Sequence, residues 1–189
     1  MREMSASTAQ LFQCVRKILL VGSTKLVRQQ GPSWVKDPKA FKASMFNARS
    51  ESVAEKASFK GPLRHKRAVI PASGFYEWRR EGGSKAPHYI QLSGGEPIGF
   101  AGLYDLWNDE VLSCTILTTT PNELMATIHD RMPVILFPDD YSRWLDHGVT
   151  DPAEVQDLLK PYPGEMRAYP VSSAVNSPRN NSPELLAAA

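Results

Sequence analysis

The chain has 189 residues, 42% of them hydrophobic, which is enough to bury a core in one domain. Its longest early apolar run, Ile18-Leu19-Leu20-Val21, is too short to cross a bilayer, and Arg16 and Lys17 interrupt the stretch a secretory signal would need. The net charge of +2 hides a division: residues 25–85 hold 14 Lys and Arg against 5 Asp and Glu, a balance of +9, whereas residues 86–189 hold 5 against 14, a balance of −9.

In chain order, Thr8 to Val15 suits a short helix and Lys17 to Val21 a strand. A rigid loop, Gly31-Pro32-Ser33-Trp34, precedes a polar connection from Lys36 to Phe41. After Asn47-Ala48-Arg49-Ser50-Glu51, the stretch from Val53 to Phe59 has helical character. Arg67 to Pro71 reads as a short buried strand and Phe75-Tyr76-Glu77-Trp78 as a second, with Glu81-Gly82-Gly83-Ser84 as a hairpin turn. His88 to Leu92, Ile98 to Leu106 and Val111 to Thr119 continue the strands. A helix is expected over Pro121 to Ala126 with Thr120 as its N-cap, then a strand from Pro133 to Leu136. Pro138 to Leu145 and Asp151 to Leu159 read as short amphipathic helices, and Arg167 to Val171 as a last strand. Many short strands with a few helices, and no repeat or low-complexity linker, argue for one α+β domain.

The charge division fits a basic surface facing a polyanionic partner, unless charges from both halves mingle on the folded surface. Cys14 and Cys114 lie 100 positions apart with no metal-ligand spacing, so two free thiols in a reducing, cytoplasmic compartment are expected, with neither a metal nor a cofactor.

Several polar residues stand in settings that invite chemistry. Glu77, between two aromatics on a strand, is either paired, raised in pKa, or at a sheet edge. His129, in Ile128-His129-Asp130-Arg131-Met132-Pro133, has an acid and a base beside it to orient the imidazole, and is either structural or catalytic. Asn47 and Arg49 share one side of an extended backbone, where an amide and a guanidinium suit phosphate or sugar; a turn-stabilising Asn is the other reading. Trp34 on its rigid loop either stacks on a base, with Lys36 and Lys39 nearby for phosphates, or anchors the loop in the core.

The order of these blocks carries more than any one of them. Pro32-Ser33-Trp34-Val35-Lys36-Asp37, Asn47-Ala48-Arg49-Ser50-Glu51, Pro71-Ala72-Ser73-Gly74-Phe75-Tyr76-Glu77-Trp78, Ile128-His129-Asp130-Arg131-Met132-Pro133-Val134, Pro170-Val171-Ser172 and Val175-Asn176-Ser177-Pro178-Arg179-Asn180-Asn181 closely resemble, in sequence, the signatures of the SOS-response-associated peptidase (SRAP) family. The likeness covers residues 31–186, about five-sixths of the chain, and leaves residues 1–30 as a divergent segment before a domain over 31–189.

The resemblance implies a mixed α+β domain whose bent sheets form a pseudo-barrel with short peripheral helices. It also implies abasic-site processing in single-stranded DNA, by a monomer associated with the nucleoid when bound. In that family an N-terminal cysteine condenses with the abasic aldehyde and closes a thiazolidine. By motif match, Asn47 would position the reacting group, Glu77 would shuttle protons, and His129 would stabilise or protonate the sugar hydroxyl. Trp34, Arg49, Arg67, Thr118 and Arg131 would contact DNA. The family begins Met-Cys-Gly-Arg-Phe, whereas this chain begins Met1-Arg2-Glu3-Met4-Ser5, and Cys14 has only an amide nitrogen and so closes no thiazolidine. Three readings stay open: a shifted coding start, a paralogue that binds DNA without cross-linking, and a lyase resting on Glu77 and His129. The α-amine or a lysine would then form an ordinary imine. A thiol peptidase, as the family name suggests, is a further alternative.

Overall fold

The computed structural model describes residues 46–107 and 111–189. Nine strands form two sheets: β1 (Asn47–Arg49), β2 (Arg67–Ala72), β3 (Phe75–Glu81), β4 (Ser84–Leu92), β5 (Ile98–Trp107), β6 (Val111–Thr119), β7 (Met132–Pro133), β8 (Ile135–Leu136) and β9 (Met166–Pro170). The larger sheet runs β1-β6-β5-β2, with β7 on β6 and β8 on β5; the smaller runs β3-β4-β9. Among the described strands only β1 joins its neighbour in parallel, Arg49 facing Thr118. Three short α-helices, α1 (Ala57–His65), α2 (Glu123–Ala126) and α3 (Tyr141–Leu145), and several 3-10 turns surround the sheets. The α+β class expected from sequence therefore stands. The sheet path is open, so the described strands form no closed barrel.

Alternation along the strands builds two cores, because successive side chains leave opposite faces. On β5, Ile98 and Phe100 enter a cluster with Ile70, Phe75, Tyr76, Tyr89, Ile90 and Val175, which joins the two sheets. Ala101 and Leu103 enter the other, with Phe59, Leu63, Leu117, Val134, Trp144 and Val155, which seats α1 and α3 on the larger sheet. Phe75 and Phe100 meet edge to face across the sheets at 5.9 Å between ring centroids. Each such buried side chain contributes roughly 1.5–3 kcal/mol.

The β3–β4 hairpin turns on Gly82 and Gly83, at φ 52° and 93°, where a side chain would be strained. At the other end of β3, a Cβ on Gly74 would strike the Ile90 carbonyl oxygen and the Tyr89 ring, so only glycine lets β3 start so close to β4. The C-terminal residues are stitched over the smaller sheet: the Tyr169 hydroxyl donates to the Leu186 carbonyl at 2.9 Å, and Val171 bridges Ala188.

Several boundaries differ from the sequence expectation. The helix expected from Val53 to Phe59 lies at Ala57–His65 instead, preceded by turns on Ser52, and it carries Pro62 in its interior. The cap of α2 is Asn122, whose side chain accepts from the Met125 N–H at 2.9 Å, in place of Thr120. The expected strand from Pro133 to Leu136 divides at Val134, which bonds to Leu117 and Ala101 on two different strands. Asp151 does open a helical segment, accepting from the Ala153 N–H at 3.0 Å, but the segment is 3-10. The segments expected over residues 8–21 lie outside the described residues.

Candidate active site

On β1, Ala48 is buried while Asn47 and Arg49 are exposed on the opposite side, as the period of two requires. Parallel pairing sets Arg49 beside Thr118, and the Ser50 N–H donates to the Thr118 carbonyl at 2.8 Å. From the smaller sheet, β3 contributes Glu77. The turn after α2 contributes His129, whose N–H is tied to the Met125 carbonyl at 2.8 Å. These segments close around a cleft of about 240 Å³ lined by Asn47, Arg49, Glu77, Thr118, His129 and Arg131, with Phe75, Tyr76, Met132 and Pro133 as its apolar wall. Six residues singled out from sequence thus converge from segments far apart in the chain.

Glu77 has 24% of its side chain exposed, and burial raises its pKa above the usual carboxylate range. The His129 charge and the Trp78 N–H, which donates to Glu77 Oε1 at 3.2 Å, pull the other way but less strongly. The His129 Nε2 lies 3.9 Å from Glu77 Oε1. At the other ring nitrogen, the Arg131 N–H donates to Nδ1 at 3.1 Å. A neutral imidazole that accepts at Nδ1 carries its proton on Nε2, toward Glu77. Asp130 Oδ1 also stands 3.1 Å from Nδ1 and suits a ring that carries a proton on Nδ1, which then donates there. The site therefore sets an imidazole beside a carboxyl whose pKa burial raises.

Arg131 is committed within the chain. Its terminal nitrogens donate to both Glu51 carboxylate oxygens at 2.7 and 2.9 Å, and one also donates to the Thr118 carbonyl at 2.6 Å. Its Nε is buried without a partner. The Thr118 carbonyl accepts from both Ser50 and Arg131, so it is engaged within the chain. Glu51 itself escaped the sequence reading. It lies 80 positions from Arg131, and no local pattern announces a pairing at that range.

Arg67 is a correction. It is 5% exposed, and its guanidinium donates to the carbonyls of Leu63 and Arg64 in α1 and of Trp144 and Asp146 at the end of α3. It also stacks on the Trp144 ring at 5.6 Å. Such an arginine closes two helix ends and does not reach DNA. Trp34 and Cys14 lie outside the described residues. Burial pushes the Cys114 thiol up to about 11, so it stays protonated at neutral pH and offers no thiolate for peptidase chemistry. Among the described residues no group of three or more His, Cys, Asp and Glu could hold a metal ion, and no helix is long and apolar enough to cross a membrane.

The SOS response associated peptidase (SRAP) family matches residues 29–178. The abasic site processing protein YoqW of Bacillus subtilis is 51% identical over 161 residues, 82% of this chain and 71% of its own length. The abasic site processing protein HMCES of Xenopus tropicalis is 36% identical over 183 residues, 83% of this chain and 54% of its own length. A crystal structure of a protein from Bacteroides thetaiotaomicron superposes with a TM-score of 0.76 at 32% identity, covering 85% of this chain and 75% of that one. With 150 consecutive residues matched and half the positions shared with a curated relative, the chain belongs to the SRAP family.

Proposed function

We propose that the chain processes abasic sites in DNA, single-stranded at the lesion, in this cleft, and that it does so as a monomer. The observation that carries the reading is the 3.9 Å approach of His129 Nε2 to Glu77 Oε1, walled by Asn47 and Arg49. An abasic sugar opens to an aldehyde, and an amine that attacks it gives a carbinolamine. Loss of hydroxide from that carbon needs an acid, a role that the raised pKa of Glu77 suits: its protonated form gives up its proton as the C–O bond breaks and the iminium forms. The carboxylate left behind is then a base for the C2′ proton, whose removal expels the 3′ phosphate and cleaves the strand. His129 donates from Nε2 to the sugar hydroxyl. Asn47 orients the sugar through its amide, and Arg49 meets a flanking phosphate. Arg131, its terminal nitrogens held by Glu51 and Thr118, braces the wall of the cleft beside His129.

The test is incubation with uracil-glycosylase-treated single-stranded DNA, followed by a denaturing gel. Cleaved strand, or a band that withstands heat and detergent, is the expected outcome. Intact strand with salt-sensitive retention on a native gel would leave a non-covalent binder, and no retention would overturn the reading.

A further inference from the structure

We propose that Glu51 is a positioning residue of the cleft: by clamping Arg131 it holds the Arg131 N–H on His129 Nδ1 and so keeps the Nε2 proton of His129 facing Glu77. The clamp is well defined. Two parallel hydrogen bonds of 2.7 and 2.9 Å join the Glu51 carboxylate to the Arg131 guanidinium, a fork-to-fork geometry that fixes orientation as well as distance. A third bond, to the Thr118 carbonyl at 2.6 Å, ties the same guanidinium to β6, and the Ser50 N–H ties β1 to that carbonyl. Glu51 lies two residues beyond Arg49, so one network spans the strand bearing Asn47 and Arg49 and the loop bearing His129.

What makes the clamp matter is the place of Arg131 in that loop. Its side chain is fixed by Glu51, and its own backbone N–H is the donor that decides the His129 tautomer. The alternative partner of Nδ1, Asp130, is 87% exposed and favours the opposite arrangement, with the proton on Nδ1. A loop free to shift would exchange one partner for the other, and Nε2 would then face Glu77 as a lone pair with no proton to give. The Arg131 bond also lowers the Glu51 pKa, so the clamp persists well below neutral pH.

The inference rests on the proposed function only for its consequence in activity; the tautomer is read without DNA. Long-range proton–nitrogen NMR on protein with labelled histidine assigns the His129 tautomer in the unmodified chain, in Glu51→Gln and in Arg131→Lys, each checked for an intact fold by its amide spectrum. The unmodified chain should carry the proton on Nε2. Both variants should show the two ring nitrogens moving toward averaged shifts. Strand cleavage by Glu51→Gln should fall at least tenfold in kcat with KM within about twofold, and the acid limb of its pH profile should move. An unchanged His129 nitrogen pattern in folded Glu51→Gln and Arg131→Lys would overturn the proposal. Absence of cleavage by the unmodified chain, with the tautomer shift still present, would overturn the function and leave the positioning role standing.

Discussion

Replacing Glu77 with Gln lowers abasic-strand cleavage by about 10²–10⁴-fold and, at neutral pH, makes the protein harder to melt. Both effects come from one cause. Burial holds the carboxyl above its ordinary value of 4.5, so the folded state resists an ionisation that the unfolded state undergoes freely. Below that value both states are protonated and Glu77 carries no penalty. As pH rises past it, the unfolded chain releases the proton first, and folding loses stability until the folded carboxyl has also ionised. The amide never ionises, so the variant's gain over the unmodified chain builds up through this window and is complete on its alkaline side. Thermal melts at about pH 4 and about pH 8 check the sign, each kcal/mol moving the midpoint by about 2–4 °C in a chain of this size. A variant that lost activity but was less stable at the higher pH would show that Glu77 is held by its partners more than it is penalised by burial.

The second large effect belongs to a residue whose basic charge points to DNA but whose place in the fold does not. Arg67→Met destabilises the fold by about 3–5 kcal/mol in denaturant titration, because it leaves carbonyls at the ends of α1 and α3 without donors. Lys in its place has one ammonium where a planar fork meets carbonyls on two helices, and it recovers only part of the loss. For the fraction that stays folded, affinity for abasic single strands and its salt dependence remain as in the unmodified chain. A protein that melted normally but bound DNA more weakly would return Arg67 to the interface.

These two residues show where the sequence was legible. Glu77 stood out because a carboxylate between aromatics on a strand is costly to place, and alternation set it on the face of Phe75, where the cleft now is. Asn47 and Arg49 were readable for the same reason, since a short strand with a small central residue sends its flanking side chains one way. Arg67 misled because a buried guanidinium and an exposed one look alike in sequence; only the approach of Trp144, 77 positions away, tells them apart. Glu51 was invisible through the same distance problem. Helix α1 lies later than expected because it runs through Gly61 and Pro62, residues that locally disfavour a helix interior, and carries Phe59 and Leu63 to the core. The strand at Pro133 divided because its two halves answer to different neighbours, which no local pattern encodes.

The two sheets also divide the proposed labour. Asn47, Arg49 and Thr118 sit on the six-stranded sheet, whereas Glu77 sits on the three-stranded one, and the sheets meet through contacts such as Phe75 on Phe100. On the proposed function, Glu77 thus stands on a separate layer from Asn47 and Arg49, with His129 on the turn that leads into β7 of the larger sheet. If that division holds, a Glu77→Gln chain should still shield a lesion without cutting it, which footprinting on abasic single strands checks.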